Sequence, residues 1–211
     1  MDTRYYQDLA AAFVRGALPQ HSHLPDPDLI QTGRQEGLRL HKFKITNLPR
    51  VQKTLGILKG LQPAGLLDIG SGRGTFLWPL LHQFPHLPVT AVDMSERRVK
   101  DLTHVIRGGV HQLQVIQADA QNLPFPDKSQ DVVTALEVLE HLPNPHRAAA
   151  HLVRIARRFI VASVPSKPDD NPEHIQFFTN GAFQNMFLQA GAAKVRIEYV
   201  SGHMIAVVTV S

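Results

Sequence analysis

The sequence contains no cysteine among its 211 residues, so disulfide bonds, thiolate metal ligands and a cysteine nucleophile are excluded. Long apolar runs are also missing, because no stretch approaches the roughly 20 residues that a membrane-spanning helix needs. The N-terminal stretch carries charges at Asp2, Arg4, Asp8 and Arg15, a distribution that does not resemble a signal peptide. We therefore expect a cytoplasmic protein with no membrane partner.

Hydrophobic residues make up 43% of the chain, which suits one domain with a full-sized core. The net charge of +4 is unevenly distributed along it. Residues 31–60 hold one acid, Glu36, against seven basic side chains: Arg34, Arg39, Lys42, Lys44, Arg50, Lys53 and Lys59. Such a segment could face an anionic substrate, including nucleic acid, but Phe43 is its only aromatic residue. We interpret it as a solvated helix face.

The organising stretch of the chain is LLDIGSGRGTF, from Leu66 to Phe76. An apolar run ends at an acid, three glycines follow at every second position, and a helical pattern starts near Thr75. This order predicts a buried strand, a tight turn and a helix, an arrangement that lets backbone approach a nucleotide-like ligand. A dinucleotide fingerprint would need its third glycine at Thr75, so a nicotinamide oxidoreductase is not expected.

Strand and helix patterns alternate from Leu66 onwards, which predicts a doubly wound α/β fold with a mostly parallel sheet. The last two strand patterns are separated only by Ser201-Gly202-His203, so that pair must be antiparallel. Residues 1–60 instead show helical patterns interrupted by prolines. We interpret them as a helical cap that belongs to the same domain as residues 61–211.

The acid-x-Gly-x-Gly-x-Gly pattern resembles motif I of the class I S-adenosylmethionine-dependent methyltransferases. The downstream segments QADAQNLPF and LPFPDKSQDVVTALEVLEHL resemble that family too, and the resemblance spans about residues 66–210. It implies a Rossmann-like sheet of seven strands in the order 3-2-1-4-5-7-6, with strand 7 antiparallel and helices on both faces. It also implies S-adenosylmethionine as cofactor, S-adenosylhomocysteine as product, and a site whose floor Gly70 and Gly72 keep low for the methionine part.

Four acids stand at or just after predicted strand ends, and they are Asp68, Asp93, Asp119 and Glu137. Ligands of open α/β sheets bind beyond these ends, and burying carboxylates is costly unless they are hydrogen-bonded. The resemblance implies that Asp93 binds the ribose hydroxyls and that Asp119 and the Ala120 N–H bind adenine; an Asx-turn is the alternative for Asp119. The whole implied cofactor set is Asp68, Gly70, Ser71, Gly72, Asp93, Met94, Asp119, Ala120 and Leu136.

Candidates for proton transfer lie in the segment Glu137-Val138-Leu139-Glu140-His141. If this segment is a helical turn, Glu137, Glu140 and His141 project from one face, and we name Glu137 and His141 as catalytic candidates. With His174, the same residues would suit a hard divalent metal. That set resembles the small-RNA 3′-terminal 2′-O-methyltransferases, which hold a divalent ion with two glutamates and two histidines. We favour an interpretation without a metal, with Glu137 near a helix start.

We therefore predict a methyltransferase with a small-molecule acceptor, a monomer or homodimer whose cap closes the cofactor site. Metal-assisted RNA 2′-O-methylation by the set above is the alternative. A non-catalytic subunit that binds the cofactor or serves as a scaffold is a further alternative, although a scaffold has no use for the glycines and acids. Asp131 is expected to be structural, and no motif explains Arg73.

Overall fold

The computed structural model describes residues 3–45, 47–168 and 170–210, so residues 1, 2 and 46 of the predicted cap lie outside the described residues. The helices are α1 (Thr3–Ala17), α2 (Asp26–Gln35), α3 (Pro49–Leu61), α4 (Leu77–Gln83), α5 (Glu96–Arg107), α6 (Pro145–Ile155) and α7 (Asn180–Gln189). The strands are β1 (Leu66–Ile69), β2 (Val89–Asp93), β3 (Leu113–Gln117), β4 (Gln130–Leu136), β5 (Ala156–Pro165), β6 (Lys194–Val200) and β7 (His203–Thr209).

The strands form one sheet in the order β3-β2-β1-β4-β5-β7-β6. β1 pairs in parallel with β2 and β4, whereas β7 pairs antiparallel with β5 and β6. The predicted topology is confirmed, including the reversed strand. Because β2, β1 and β4 are parallel neighbours, their carboxyl ends meet at one edge of the sheet, where ligands of such sheets bind.

Side chains of the central strands alternate between two apolar layers, as the two-residue period of a strand requires. Leu67 and Val133 belong to the layer that α6 and α7 close. Leu66 and Val132 belong to the layer that α3, α4 and α5 close. The central strands are thereby buried on both faces, which is the usual condition of parallel strands.

The first helix is fixed to the domain by close backbone contact with α5. A Cβ atom at Gly16 would lie 1.9 Å from the carbonyl oxygen of His104, and one at Gly108 would lie 1.8 Å from that of Ala12. Only glycine permits this approach from each side, so α1 packs on α5 as an integral layer of the fold. Among the described helices, none combines the length and apolar character that crossing a membrane requires.

Asp131 joins the start of β4 to the strand beside it and to the entry of β1. Its carboxylate accepts hydrogen bonds from Arg157 Nη2 (2.9 Å), Arg158 Nε (2.8 Å) and the Ala64 N–H (2.8 Å). Burial alone would raise the pKa of Asp131, but the hydrogen bonds from both arginines hold it well below its ordinary value. Asp131 is a structural residue in this arrangement, far along β4 from the strand end where Glu137 follows.

Replacing Asp131 with alanine should lower the free energy of unfolding by about 2–3 kcal/mol, because charged hydrogen bonds are lost and the Ala64 N–H loses its partner. Urea unfolding would measure the change. Asp127→Asn is the matched control, since Asp127 pairs with Arg154 at 2.7 Å but its side chain is 76% exposed. That control should cost less than about 1 kcal/mol. Equal losses in the two variants would contradict the structural role of Asp131.

Candidate active site

A cavity of about 470 Å³ opens at the carboxyl ends of β1, β2 and β4. Its volume is in the range of small-molecule and cofactor sites. Both predicted catalytic residues line it, as does every residue of the predicted cofactor set: Asp68, Gly70, Ser71, Gly72, Asp93, Met94, Asp119, Ala120, Leu136, Glu137 and His141. Of the described residues that precede β1, Arg50 and Val51 line it, so the part of the cap that reaches this cavity is α3.

The three glycines after β1 have left-handed backbone angles, with φ of 70° at Gly70, 57° at Gly72 and 83° at Gly74. A Cβ atom at Gly70 would lie 2.5 Å from Val138 Cγ2, and one at Gly74 would lie 2.0 Å from the Trp78 ring. Packing within the protein therefore already requires those two glycines. At Gly72 the nearest atom to a Cβ is the Gly70 carbonyl oxygen at 3.6 Å, so the left-handed backbone, and not a packing clash, favours glycine there.

Asp68 presents a buried carboxylate to the cavity with only 2% of its surface exposed. Thr134 Oγ1 donates a hydrogen bond to Asp68 Oδ1 at 2.7 Å, whereas Oδ2 has no hydrogen-bond partner among the described residues. Burial raises the pKa of Asp68 to about 6, and the hydrogen bond from Thr134 opposes that rise. A buried acceptor of this kind is costly unless a ligand supplies the missing donor.

Asp93 lies at the end of β2 and is held by two backbone N–H groups. The Gly72 N–H donates to Oδ2 at 2.9 Å and the Ser95 N–H donates to Oδ1 at 2.9 Å. Arg98 Nη1 lies 3.4 Å from Oδ2. Each carboxylate oxygen can accept more than one hydrogen bond, so a carboxylate oriented in this way retains acceptor capacity toward the cavity.

Asp119 and Met94 form the outer rim of the cavity. Asp119 is exposed, and its Oδ1 accepts a hydrogen bond from the Gln121 N–H at 2.8 Å. This is the Asx-turn that the sequence left as an alternative, and it orients the carboxylate while leaving it capacity to accept further hydrogen bonds. Met94 is 68% exposed, which is unusual for a large apolar side chain and leaves it available for contact with a ligand.

The predicted common face of Glu137, Glu140 and His141 does not form. Glu137 has a φ of 56°, so the chain leaves β4 in a left-handed conformation before a short 3-10 turn at Leu139–His141. Glu140 is fully buried, whereas Glu137 and His141 line the cavity. The assumption of a regular helical turn was wrong because Glu137 is bound by partners that lie far away in the sequence.

Those partners hold the Glu137 carboxylate from three directions. Ser163 Oγ donates to Oε1 at 2.8 Å, His203 Nε2 lies 2.9 Å from Oε2, and Arg50 Nε lies 3.9 Å from the same oxygen. His203 Nδ1 also bonds the Ser201 carbonyl at 3.2 Å. Since carbonyl and carboxylate oxygens only accept, both nitrogens of His203 donate, and its hydrogen bond to Glu137 raises the pKa of His203. Burial would raise the pKa of Glu137, but His203, Arg50 and Ser163 lower it.

A second group forms where the turn after β4 meets the segment before α7. Ligand atoms of Glu140, His141 and His174 all lie within 4.8 Å of one another. His141 Nδ1 is 2.7 Å from the Glu173 carbonyl oxygen and must donate to it, which leaves Nε2 with its lone pair. Three of the four residues that the sequence suggested for a metal are therefore neighbours, and Glu137 belongs to the His203 network instead.

Two residues of this site were not predicted. The sequence places His203 only in the short connection between the last two strands, and Arg50 only in a basic segment interpreted as a solvated helix face. Neither belongs to a motif, because each reaches Glu137 through the tertiary fold. The only available signal for His203 was its position in the tight connection between two strands, which places it at the sheet edge beside the end of β4.

Comparison with known proteins agrees with this geometry. Residues 67–158 match the protein family described as a methyltransferase domain. The ubiquinone biosynthesis O-methyltransferase of Aeromonas salmonicida is 32% identical over 134 residues, covering 61% of this chain and 54% of that protein. Sterol methyltransferase-like 1 of Botryococcus braunii is 25% identical over 154 residues, covering 69% and 37%. The structure of magnesium protoporphyrin IX methyltransferase from Synechocystis PCC 6803 with bound SAH matches with a TM-score of 0.63 at 16% identity, covering 81% of this chain and 92% of that one.

Residues 67–158 thus resemble a methyltransferase domain, and the chain shares its fold with solved S-adenosylmethionine-dependent methyltransferase structures. The chain spans about a third to a half of the length of the curated relatives it matches, with coverage of 37%, 32%, 54% and 47% in four of them. The substrates for which those longer proteins are named are properties of those proteins.

Replacing His203 with glutamine should destabilise the protein by about 1 kcal/mol near pH 6, because a partly buried charge pair is lost. Because the pKa of His203 is raised in the folded protein, the contribution of His203 to the free energy of unfolding is complete below pH 6.5, its ordinary pKa. That contribution fades as pH rises through the higher pKa of the folded state. The lowered pKa of Glu137 sets the lower end of the pH range. The contribution of Glu137 to the free energy of unfolding is complete above pH 4.5 and fades as pH falls through the lower pKa of the folded state. The loss should therefore be largest between these two pH values and smaller at pH 9.

Chemical unfolding at pH 6 and about pH 9 measures this difference. His86→Gln serves as the control, because His86 is exposed and does not line the cavity. A destabilisation by His203→Gln that is equal at both pH values would show that the charge pair with Glu137 contributes nothing.

Proposed function

We propose that this protein transfers a methyl group from S-adenosylmethionine to a small-molecule acceptor. The observation that carries the proposal is the cavity at the ends of β1, β2 and β4, which gathers the whole predicted cofactor set around Asp68, a buried carboxylate whose Oδ2 has no donor among the described residues. The family match of residues 67–158 supports it. Relatives named for ubiquinone and sterol chemistry support a small acceptor.

The residues of the cavity fit the cofactor by the chemistry of their donors and acceptors. We assign Asp68 Oδ2 to the ammonium of the methionine part, because this buried acceptor needs a charged donor. Asp93 would take the ribose hydroxyls, and Asp119 with the Ala120 N–H would take adenine. Gly72 keeps the floor low between them. Ser71, Gly70, Met94 and Leu136 would supply the remaining walls.

S-adenosylmethionine, when bound, supplies a methyl group that its positively charged sulfur has already activated. The protein must then position the acceptor, which can supply most of the acceleration, and remove a proton where the acceptor requires it. Glu137 is poorly suited to that removal, because its partners stabilise the carboxylate and lower its pKa. His141 is better suited, since Nε2 keeps a lone pair and the residue lines the cavity. We therefore assign proton transfer to His141 and a positioning role to Glu137.

Binding of S-adenosylhomocysteine should depend on pH through Asp68. An ammonium needs the ionised carboxylate, and the pKa of Asp68 is about 6, so affinity should be constant above pH 7 and fall about tenfold by pH 5. Isothermal titration calorimetry at several pH values measures it. Asp68→Asn should weaken binding about tenfold or more at pH 7.5 and flatten the pH profile, whereas the exposed control Asp28→Asn should change neither. Wild-type affinity that is constant from pH 5 to 8 would remove Asp68 from the ammonium site.

The second candidate function is metal-assisted 2′-O-methylation of RNA. The cluster of Glu140, His141 and His174 favours it, because a metal-bound histidine commonly donates its other ring N–H to a carbonyl, as His141 does to Glu173. These three residues would hold a divalent ion close to the acceptor side of the cavity. Under this candidate the ion would polarise the acceptor hydroxyl, and His141 would be a ligand instead of a base.

Titration with Mn²⁺ or Mg²⁺ decides between the two candidates. If a metal is held, His174→Ala should weaken Mn²⁺ binding by about tenfold or more. The exposed control His146→Ala, on α6, should leave it unchanged. Release of S-adenosylhomocysteine from an acceptor panel of small molecules and RNA, with and without a chelator, gives the functional counterpart. Absence of metal binding together with an unchanged melting temperature in His174→Ala would exclude the RNA candidate.

A further inference from the structure

A second cavity, of about 600 Å³, shares part of its lining with the first. It is bounded by the segment that precedes α3, by the glycine turn and by the beginning of α5. Four residues line both cavities, and they are Gly72, Arg73, Met94 and Arg98. The glycine turn is therefore a shared wall, with the proposed cofactor site on one side and the second cavity on the other.

The second cavity is lined by basic side chains from three separate parts of the sequence: Arg39, His41, Lys42, Arg73, Arg97 and Arg98. One acid, Asp101, faces them, and Lys42 Nζ already pairs with it at 2.7 Å. Arg98 is within 3.4 Å of Asp93. The local charge is thus strongly positive once these two pairs are set aside.

Three of these arginines have no carboxylate within ion-pair distance among the described residues, namely Arg39, Arg73 and Arg97. All three are exposed, so their guanidinium groups are available to a ligand. Burial lowers the pKa of Lys42 and the nearby charge of Arg97 lowers it further, whereas the pairing with Asp101 opposes both effects. A concentration of like charge in a concave site costs stability, and an anion bound there would offset that cost.

We propose that the second cavity binds the phosphate group of a phosphorylated small-molecule acceptor, with Arg39 and Arg97 as its main donors. This inference rests on the proposed methyltransferase function. Arginine suits the role because its planar fork donates two parallel hydrogen bonds to a phosphate. The carboxylate of the cofactor could engage only arginines on the shared wall, whereas Arg39 and Arg97 line the second cavity alone.

The chemistry of the cavity favours a small phosphate ester over RNA. Proteins that grip single-stranded nucleic acid combine basic grooves with aromatic side chains on which bases stack. Besides His41, the aromatic residue that lines this cavity is Trp78, which is 2% exposed and whose Nε1 donates to the Arg73 carbonyl at 3.0 Å. Its ring is thus packed in the core and offers no stacking platform. The volume also falls in the range of small-molecule sites.

This site gives a role to two features of the sequence that no motif explained. Arg73 occupies the shared wall, and Arg39 with Lys42 brings part of the basic 31–60 segment to the cavity. Other members of that segment serve the fold, since Lys53 pairs with Glu198 at 2.5 Å and Arg50 contacts Glu137. The segment is therefore divided between docking of the cap and a ligand surface.

Pyrophosphate is the probe for this site, titrated calorimetrically into the protein saturated with S-adenosylhomocysteine at low ionic strength. The double variant Arg39→Gln/Arg97→Gln should bind pyrophosphate about tenfold more weakly, since charged hydrogen bonds are removed. Its affinity for S-adenosylhomocysteine should equal that of the wild type. Arg34→Gln is the matched control, because Arg34 belongs to the same basic segment, is exposed and lines neither cavity.

Each outcome bears on one proposal. Pyrophosphate binding that is absent from the wild type, or is equal in the double variant, overturns the phosphate site while leaving the methyltransferase function intact. Failure to bind S-adenosylhomocysteine, with pyrophosphate binding retained in the free protein, overturns the proposed function instead. A single-stranded RNA that binds over tenfold more tightly than pyrophosphate and depends on both arginines would replace the small phosphate ester with nucleic acid. Unchanged melting of the double variant confirms that it is folded.

Discussion

The hydrogen bond from the Gly72 N–H to Asp93 Oδ2, at 2.9 Å, is the constraint on which both cavities depend. It ties the turn after β1 to the end of β2, so the left-handed backbone of the turn cannot move without the carboxylate. Asp93 is fixed from its other side by the Ser95 N–H at the start of α5. One carboxylate thereby sets the separation of the turn, the second strand and the helix that lines the second cavity. Backbone N–H groups orient a carboxylate more rigidly than side-chain donors do, because they have no side-chain rotamers that must be restricted.

Two aspartates show how the same side chain takes opposite roles at opposite ends of the sheet. Asp131, near the start of β4, is surrounded by donors, and two arginines lower its pKa. Asp68, near the carboxyl end of β1, is buried with a hydrogen bond from Thr134, and burial raises its pKa to about 6. A fully satisfied carboxylate stabilises the fold, whereas an incompletely satisfied one stores free energy that a ligand can recover. The excess of positive charge in the second cavity likewise costs free energy, which a bound anion would recover.

The fold was predictable because its signals are local. The apolar runs, the glycines after Leu66–Ile69 and the short connection before β7 together determine strand order and direction. The gathering of the predicted cofactor residues in one cavity follows from that topology, since successive parallel strands bring their ends together. The surroundings of Glu137 were not predictable, because Ser163, His203 and Arg50 come from β5, β7 and α3. The second cavity was not predictable for the same reason, because its basic residues are distributed between Arg39 and Arg98 and share no motif.

The left-handed conformation of Glu137 agrees with the positioning role that we propose for this acid. A non-glycine residue with positive φ costs free energy and persists where its surroundings determine it more than once. Here the Glu137 N–H donates to the Ser163 carbonyl at 3.0 Å while Ser163 Oγ donates to the carboxylate, so one residue of β5 holds both ends. The chain that leaves this point turns at once into Leu139–His141, which brings His141 against the Glu173 carbonyl. The carboxylate of Glu137 must therefore be ionised to hold His203 and Arg50. Its protonation would weaken the contacts that fix the chain just before His141.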